Sequence, residues 1–267
     1  MTLKFTILGC GSSGGVPRPA LGWGDCDPNN PKNRRRRTSL LVERQGPGGV
    51  SRVLVDTSPD LREQLLDANA DALDGVFYTH EHADHVHGID DLRGYFIKQR
   101  RLIDVYLAAP TAKIVRARFD YCFESPPRSD YPPIVSEQRF VAGQPIEVRG
   151  QGGAITGLPI LQVHGDTPSF GFRFGRVAYS CDLSDLPPES VAALADLDVW
   201  ILDALRYRPH PSHFSVADAL GWIQRLKPRR AILTNLHTDL DYDKLRRELP
   251  QHVEPAFDGM CIEVEDA

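Results

Sequence analysis

The stretch His80–His85 reads His-Glu-His-Ala-Asp-His and concentrates three imidazoles and an aspartate within six residues. It directly follows the apolar run Gly75–Thr79, which is short, β-branched and aromatic and therefore predicts a strand. Where a strand ends in a turn, side chains two residues apart can point at one place, and the next pair can reach its other side. Imidazole nitrogens and carboxylate oxygens suit divalent zinc, manganese or iron. One histidine alone would more often be a core or surface residue, but this spacing predicts a metal site.

Further ligands are expected far along the chain, because six residues cannot surround two metals. Three ionisable residues stand at the ends of apolar runs, where the strand ends of a layered fold line a cleft: His164, Asp182 and His237. Each alone would be better explained as a loop histidine or a helix-capping aspartate. Together with the cluster they supply enough ligands for two metals, with Asp182 able to bridge them.

Composition predicts an enzyme-like globular chain. The 267 residues suffice for one large α/β domain or two small ones, and hydrophobic (41%) and charged (25%) contents are ordinary. No linker or low-complexity boundary is visible, so one domain over residues 1–267, built from two similar halves, is the better interpretation. The net charge of -5 argues against a general nucleic-acid binder.

The cysteine pattern and the N-terminus favour the cytoplasm. Five scattered cysteines suggest reduced thiols and no disulfide framework. The first apolar stretch is too brief for a signal sequence, and no run approaches transmembrane length.

Strands and helices are predicted to mix along the chain, with the first part richer in strands. We expect strands at 4–9, 39–43, 52–56, 76–79, 105–108, 154–164, 170–174, 176–180, 199–202 and 231–236. Helices are expected at 59–68, 88–99, 111–122, 187–195 and 215–225, the first capped by Ser58 and the last by Ser215. Four prolines between residues 124 and 137 predict an irregular surface excursion.

Several motifs together resemble a known family. They are Leu8–Pro17, Val55-Asp56, Thr79–His85, His164, Ser180–Asp182, Ser212-His213, Leu233-Thr234 and Phe257–Met260. With them the chain resembles the metallo-β-lactamase superfamily, above all the phosphodiesterase branch that includes a phosphoribosyl cyclic phosphate diesterase. The resemblance implies an α/β fold, a four-layer αββα sandwich with a dimetal site at one edge of its two sheets.

The resemblance also assigns roles to residues. One metal would be held by His80, His82 and His164, and the second by Asp84, His85 and His237, with Asp182 between them. His213 occupies the place of a catalytic histidine that is not a ligand, so a proton-transfer role is implied, and Asp84 is counted with it as catalytic. Asp203 is a candidate partner that would hold the tautomer of His213.

Two departures from the branch affect these assignments. Relatives commonly carry the last ligand histidine directly after Leu-Thr, whereas this chain has Asn235 there and His237 two residues later. If the strand continued, both side chains would lie on one face, so His237 is expected as the ligand and Asn235 only beside it. The diesterase also holds a structural zinc with clustered cysteines, of which this chain keeps only Cys26, so no structural zinc is expected.

The implied chemistry is hydrolysis by a metal-bridging hydroxide, with two divalent ions, zinc or manganese, and His213 as general acid. We expect a small cyclic phosphate or nucleotide-like diester as substrate. A nucleic-acid or membrane partner is not expected, and a homodimer is left open. The alternatives are a tRNA 3′-processing nuclease, a lactonase or thioesterase, and a non-catalytic accessory protein of coenzyme biosynthesis.

Three further features have an ordinary and a functional interpretation. The glycine-rich segment Gly9–Gly15 fits a tight connection beside the site better than a phosphate cradle. The basic run Arg34–Arg37 is ordinarily a solvated turn, although it could steer anions. Asp56 is expected to orient a ligand histidine, and Arg206 and Arg208 are candidates for binding phosphate oxygens.

Overall fold

The structure is a computed structural model that describes residues 2–265. Its first sheet consists of β1 (Thr2–Gly9), β2 (Ser39–Gly46), β3 (Gly49–Val55), β4 (Gly75–Phe77), β5 (Ile103–Leu107), β6 (Val135–Arg139) and β14 (Met260–Glu265). They lie in the order β14-β1-β2-β3-β4-β5-β6. The run from β3 to β6 is parallel and the remaining pairs are antiparallel.

The second sheet repeats this plan. Its strands are β7 (Ile146–Gly150), β8 (Gly153–Gln162), β9 (Ser169–Phe174), β10 (Val177–Ser180), β11 (Val199–Asp203), β12 (Arg230–Thr234) and β13 (Val253–Pro255). They lie in the order β13-β12-β11-β10-β9-β8-β7, antiparallel from β7 to β10 and parallel from β10 to β13. Each sheet therefore joins a meander to a parallel run.

Helices cover the outer faces of both sheets. They are α1 (Leu61–Asp67), α2 (Ala83–Val86), α3 (Arg93–Gln99), α4 (Ala109–Phe123), α5 (Pro188–Ala192), α6 (Val216–Leu226) and α7 (Tyr242–Glu248), with 3₁₀ turns at Pro31–Asn33 and Ile89–Leu92. None of these described helices is long and apolar enough to cross a bilayer.

Three apolar clusters establish the layers. The central cluster joins the facing sides of the two sheets, where the rings of Phe77 and Phe172 lie 5.0 Å apart. A second cluster joins the outer side of the first sheet to α1 and α4, and a third joins that of the second sheet to α6 and α7. Burial of both sides of each sheet explains its near-continuous apolar strands. The predicted αββα sandwich is confirmed.

Local expectations were right in type and less accurate at boundaries. Ser215 caps α6 in a capping box with Asp218, as predicted. The first helix begins later than expected, with Asp60 at the N-cap in place of Ser58. The helix predicted for 88–99 is a 3₁₀ turn followed by α3, and the surface excursion ends at Val135, where β6 begins. No strand was predicted where β6, β7, β13 and β14 lie.

The ends of β3, β10 and β12 share a backbone feature. Asp56, Asp182 and Asn235 each follow the end of a strand within two residues and adopt positive φ angles of 63°, 55° and 62°. Aspartate and asparagine enter this left-handed region more readily than other side-chain-bearing residues. The chain thus turns sharply at three places where parallel strands end, and three polar side chains are held at one edge of the sandwich.

Candidate metal centre

The cluster His80–His85 begins in the turn after β4 and extends into the short helix α2. His82 is the N-cap residue of α2, so the turn separates His80 from the Asp84-His85 pair. Buried His80 lies at the centre of the group, with ring centroids 4.5 Å from His82 and 4.3 Å from His85. The structure brings together the four ligand-type residues of the sequence motif, as their spacing predicts.

A first ligand group combines both sheets. His80, His82, His164 and Asp182 offer donor atoms that all lie within 4.8 Å of one another. The Nε2 atoms of His80 and His164 each lie 3.5 Å from Asp182 Oδ2, and His164 Nε2 lies 3.3 Å from His82 Nδ1. This spacing of three imidazoles around one carboxylate suits a divalent transition metal.

A second ligand group shares Asp182 with the first. Asp84, His85 and Asp182 form it, with His85 Nε2 3.5 Å from Asp84 Oδ2 and 3.4 Å from Asp182 Oδ2. Because Asp182 Oδ2 is close to ligand atoms of both groups, this carboxylate is placed to bridge two ions. The structure thus brings together six of the residues to which the resemblance assigns metal ligation.

Buried imidazole nitrogens without hydrogen-bond partners indicate that the residues of this site fit metal ions. His80 Nε2 and His85 Nε2 are buried and lack a hydrogen-bond partner among the described residues. Burying a polar nitrogen without a partner is costly, so these atoms call for a cation that is not part of the chain. Burial lowers the pKa of His80 well below its usual value and favours the neutral imidazole that binds metals.

The charge around His85 also calls for a cation. Burial opposes protonation of this imidazole, yet the carboxylates of Asp182, Asp84 and Asp56 outweigh it and raise its pKa well above the usual value. Conversely, burial would raise the pKa of Asp182, but the neighbouring His85 holds it well below its usual range. Three carboxylates thus converge on one imidazole, a field that a divalent ion would neutralise.

Hydrogen bonds outside the two groups orient the ligands. His85 Nδ1 lies 2.7 Å from Asp56 Oδ2, and Asp56 in turn accepts from the backbone and hydroxyl of Thr79 at 2.8 Å each. His164 Nδ1 lies 2.7 Å from the carbonyl oxygen of Ser212. In each histidine the Nδ1 hydrogen is donated, so Nε2 keeps its lone pair for a ligand. The predicted contact of Asp56 with a histidine of the cluster is confirmed.

His213 stands beside the ligands on the loop before α6. Its Nδ1 lies 2.7 Å from Asp203 Oδ2, and its ring centroid is 4.7 Å from that of His164. Burial lowers the pKa of His213, but the Asp203 carboxylate outweighs burial and raises it to about 9. The predicted pairing with Asp203 is confirmed. His213 also forms a third close group with Asp182 and Asp203, so its geometry permits either proton transfer or ligation.

The structure separates Asn235 from His237. The predicted continuation of the strand through residue 236 is wrong, because β12 ends at Thr234 and Asn235 turns with a φ of 62°. Asn235 Nδ2 donates to Asp182 Oδ1 at 3.0 Å and to Asp203 Oδ1 at 3.1 Å. His237 lines the same cavity, but its Nδ1 lies 3.3 Å from Asp239, outside all three ligand groups of residues 2–265. That His237 ligates the second metal stays a prediction.

The ligand groups open into a cavity of about 280 Å³. Sequence analysis missed one cation of its lining, Arg18, which follows the glycine-rich segment after β1. The signal in the sequence was that Arg18 comes shortly after the glycine-rich segment. In the structure, Gly11 of that segment forms isolated β-bridges with both Arg37 and Leu236, which places the segment beside the site. The other lining residues are Ser12, Ser13, His82, Asp84, His164, Asp182, Leu205, Arg206, His210, Ser212, His213, Asn235 and His237.

The basic run Arg34–Arg37 proves to be structural for the most part. Arg35 is only 2% exposed and donates to the carbonyl oxygens of His237 (3.2 Å) and Leu240 (2.7 Å). Arg36 pairs with Asp67 and Asp258, and Arg37 with Asp60. The run therefore ties loops together beneath the site, which disfavours a role in steering anions.

The Cys26 loop is held by hydrogen bonds. Cys26 Sγ donates to the carbonyl oxygen of Thr238, and Asn33 Nδ2 donates to Asp241 Oδ2 at 2.6 Å.

The glycine-rich segment packs closely against the basic run. A Cβ on Gly9 would overlap the carbonyl oxygen of Arg37, which supports the interpretation of the glycine-rich segment as a tight connection.

Comparison with known proteins identifies the family. Residues 51–235 match the beta-lactamase superfamily domain, and this span includes seven of the eight predicted site residues. The chain belongs to the metallo-β-lactamase superfamily. It shares 33% sequence identity and a TM-score of 0.88 with the crystal structure of a new diphosphatase from the PhnP family, over 99% of this chain and 98% of that one. The resemblance seen in the sequence is thereby confirmed, and the protein falls in a family of hydrolases.

Curated relatives carry different names. The chain is 33% identical to an octanoyltransferase of Porphyromonas gingivalis (strain ATCC BAA-308 / W83) over 97% of this chain and 51% of that protein. It is 32% identical to a ribonuclease Z of Bradyrhizobium sp. (strain ORS 278) over 62% of this chain and 51% of that protein. The chain thus spans about half the length of the curated relatives it matches.

Proposed function

We propose that this member of the superfamily is a dinuclear metal-dependent phosphodiesterase that hydrolyses a small cyclic phosphate or nucleotide-like diester. The observation that carries the proposal is the pair of ligand groups that share Asp182, with the Asp203-paired His213 beside them. Two divalent ions, zinc or manganese by the nitrogen and oxygen donors, would supply positive charge for the phosphoryl oxygens and acidify a water molecule.

The chain's own residues would position the substrate and move protons. His80, His82 and His164 would hold one ion, Asp84, His85 and His237 the other, and Asp182 both. Asn235, which donates to Asp182 Oδ1 and Asp203 Oδ1, keeps these two carboxylates in place.

His213 would act as the general acid. Its Nδ1 hydrogen is engaged by Asp203, so the proton to be transferred resides on Nε2. The carboxylate of Asp203 raises the pKa of His213 and so favours the protonated imidazole that a general acid requires. Asp203 is fully buried, which strengthens this pairing.

A second candidate reaction is cleavage of a diphosphate. The neighbour that aligns over almost the entire chain at 33% identity is described as a diphosphatase, and a phosphoanhydride is attacked at phosphorus in the same way. The small cavity of about 280 Å³ favours small substrates in both cases. The octanoyltransferase and ribonuclease Z relatives make an acyl thioester and precursor tRNA the relevant alternatives.

A substrate panel run together with metal analysis tests the proposal. The panel contains bis-p-nitrophenyl phosphate, 2′,3′-cyclic nucleotides, a dinucleoside diphosphate, a lactone, an octanoyl thioester and precursor tRNA. We expect about two metals per chain and the highest kcat/KM on a diester. A higher kcat/KM on the diphosphate than on the diesters would make a diphosphate, and not a diester, the proposed substrate. Turnover of only the acyl substrates or tRNA would refute hydrolysis of small phosphodiesters.

A further inference from the structure

His210 is a cavity histidine that belongs to neither ligand group. It lies half-buried on the loop between β11 and α6 and lines the cavity, with its ring centroid 5.1 Å from that of His213. Its Nδ1 accepts a hydrogen bond from the backbone N–H of Ser212 at 3.3 Å, and the hydroxyl of Ser212 lies 3.2 Å from the same nitrogen. Because a backbone N–H can only donate, Nδ1 of His210 carries a lone pair and the ring proton is on Nε2.

The loop that carries His210 has no regular secondary structure. Arg206 and Ser215 form an isolated β-bridge where it begins and ends, and within the described chain no helix or strand lies between them. Pro209 and Pro211 are exposed, so burial does not hold the tip of the loop. Arg206 fixes the first half by donating to the carbonyl oxygens of Arg208 at 3.1 Å and Pro209 at 2.9 Å. The second half, residues 210–213, depends on other contacts.

The hydrogen bond between His210 and Ser212 holds this second half as a side-chain turn. Asparagine and aspartate side chains form such turns by accepting the N–H two residues later, and Nδ1 of His210 accepts at the same distance along the chain. The ring of Pro211 fixes its own φ angle and restricts His210 before it to extended conformations. Few conformations are then left to Ser212 and to the next residue, His213.

Ser212 connects this turn to the metal centre. Its carbonyl oxygen accepts from Nδ1 of His164 at 2.7 Å, which leaves Nε2 of His164 for an ion. Gly165 follows His164 with a φ of 54°, and a Cβ there would come within 3.1 Å of Ser212 Cβ. On the other side of Ser212, His213 pairs with Asp203. One turn thus positions a candidate ligand and the candidate general acid.

We propose that His210 is a positioning residue that sets the metal affinity of the first ligand group and the orientation of His213. The inference rests on the proposed function, to which it adds a residue that holds the site without touching the reacting atoms. Loss of Nδ1 would free the N–H of Ser212 and let the carbonyl oxygen that orients His164 move. Partners that orient a metal-ligating histidine typically contribute roughly 10–100-fold in metal affinity or activity, and one further residue in the relay places His210 near the lower end, at about 10-fold.

Three substitutions at His210 separate positioning from contact with a substrate. His210→Ala removes both ring nitrogens and should weaken zinc binding about 10-fold, as measured by competition with a chelator. His210→Asn keeps an acceptor, Oδ1, in the place of Nδ1 and removes the Nε2 donor, so its zinc affinity should stay near that of the wild type. His210→Gln moves the amide one carbon further from the backbone and should behave like His210→Ala. His252→Ala, which removes an exposed histidine outside the cavity, is the matched control and should change nothing.

Turnover provides a second readout. At saturating metal, His210→Ala should lower kcat more for diesters with alkoxide leaving groups than for those with p-nitrophenolate, because His213 is less well oriented. His210→Asn should restore kcat on both. The Tm of the metal-free protein should be nearly equal in all variants, because the tip of the loop is exposed.

The zinc affinities and rates together decide the role of His210. Equal zinc affinity in wild type and His210→Ala would overturn the positioning role. Loss of turnover in both His210→Asn and His210→Ala, with zinc affinity intact in both, would overturn it as well, because the Nε2 donor would then contact the substrate. A loss of zinc affinity that His210→Asn repairs, in a protein that turns over no diester, would support the positioning of His164 and refute only the proposed reaction.

Discussion

Replacing His213 should lower the rate of hydrolysis more strongly the more basic the leaving group is. General acid catalysis contributes roughly 10²–10⁴ in rate, or about 2.7–5.4 kcal/mol of barrier at 1.36 kcal/mol per decade. His213→Ala should therefore lower kcat by that factor for diesters with alkoxide leaving groups. A p-nitrophenolate leaving group needs little protonation, so its hydrolysis should fall far less.

The remaining hydrogen bonds of Asp203 limit how far His213→Ala should lower the free energy of unfolding. Removing the imidazole leaves Asp203 buried, but this carboxylate still accepts from Asn235 Nδ2 at 3.1 Å and from the backbone of Leu183 at 3.2 Å. The cost should stay near the lower end of about 1–3 kcal/mol for a weakened buried group, which lowers Tm by a few degrees. His213→Gln can still donate to Asp203 and should melt closer to the wild type, while its kcat on alkoxide diesters stays low.

The assay compares kcat on both leaving groups for wild type, His213→Ala and His213→Gln, with metal content measured in each. Retention of two metals together with the leaving-group dependence supports the proton donor. Equal losses on both substrates would refute the general-acid role. Loss of one metal would make His213 a ligand, a role that its close group with Asp182 and Asp203 also permits.

Further predictions concern the metals and the loops beneath them. His82→Ala and Asp182→Ala should each lose metal, as measured by elemental analysis, and abolish turnover; full occupancy in Asp182→Ala would contradict its bridging position. His237→Ala should lower metal occupancy at one site only, because its side chain lines the same cavity as Asp84, and retention of both metals would remove His237 from the predicted ligand set. Burial would raise the pKa of Asp241, but N–H donors of Lys244, Asp27 and Asn33 outweigh it and lower that pKa. Asp241 therefore stabilises the fold above its unfolded pKa and loses this effect as pH falls through the lower folded value. Asp241→Asn should reduce Tm clearly at pH 7 and less at pH 3, and an equal reduction at both would refute the electrostatic explanation.

Local patterns made much of the fold and site predictable. The alternation of apolar runs with ionisable residues at their ends located β4, β10 and β12, and the dense motif His80–His85 located candidate ligands. The position of His164 beside Asp182 depends on the pairing of β8, β9 and β10 within the second sheet, which the family resemblance supplied and local spacing alone does not contain.

The features that escaped prediction depend on tertiary contacts or on the conformation of single residues. The left-handed turn at Asn235 moved His237 away from the face that strand periodicity assigned to it. Burial of Arg35 depends on carbonyl oxygens about 200 residues away, so its sequence neighbourhood looked like a solvated basic turn. Arg18 directly follows Pro17 of the first motif, but its place in the cavity lining depends on how the loop after β1 folds against the other loops of the site.

The division of the ligand groups between the two sheets has a consequence for the order of events during synthesis. The residues from His80 to His85 precede β5, whereas His164 and Asp182 flank β9 and β10 in the second sheet. A nascent chain that extends only to β6 holds histidines and an aspartate that cannot form either complete group. Metal capture must therefore follow docking of the second sheet, so a substitution that disturbs docking anywhere along the shared apolar layer can lower metal content without touching a ligand.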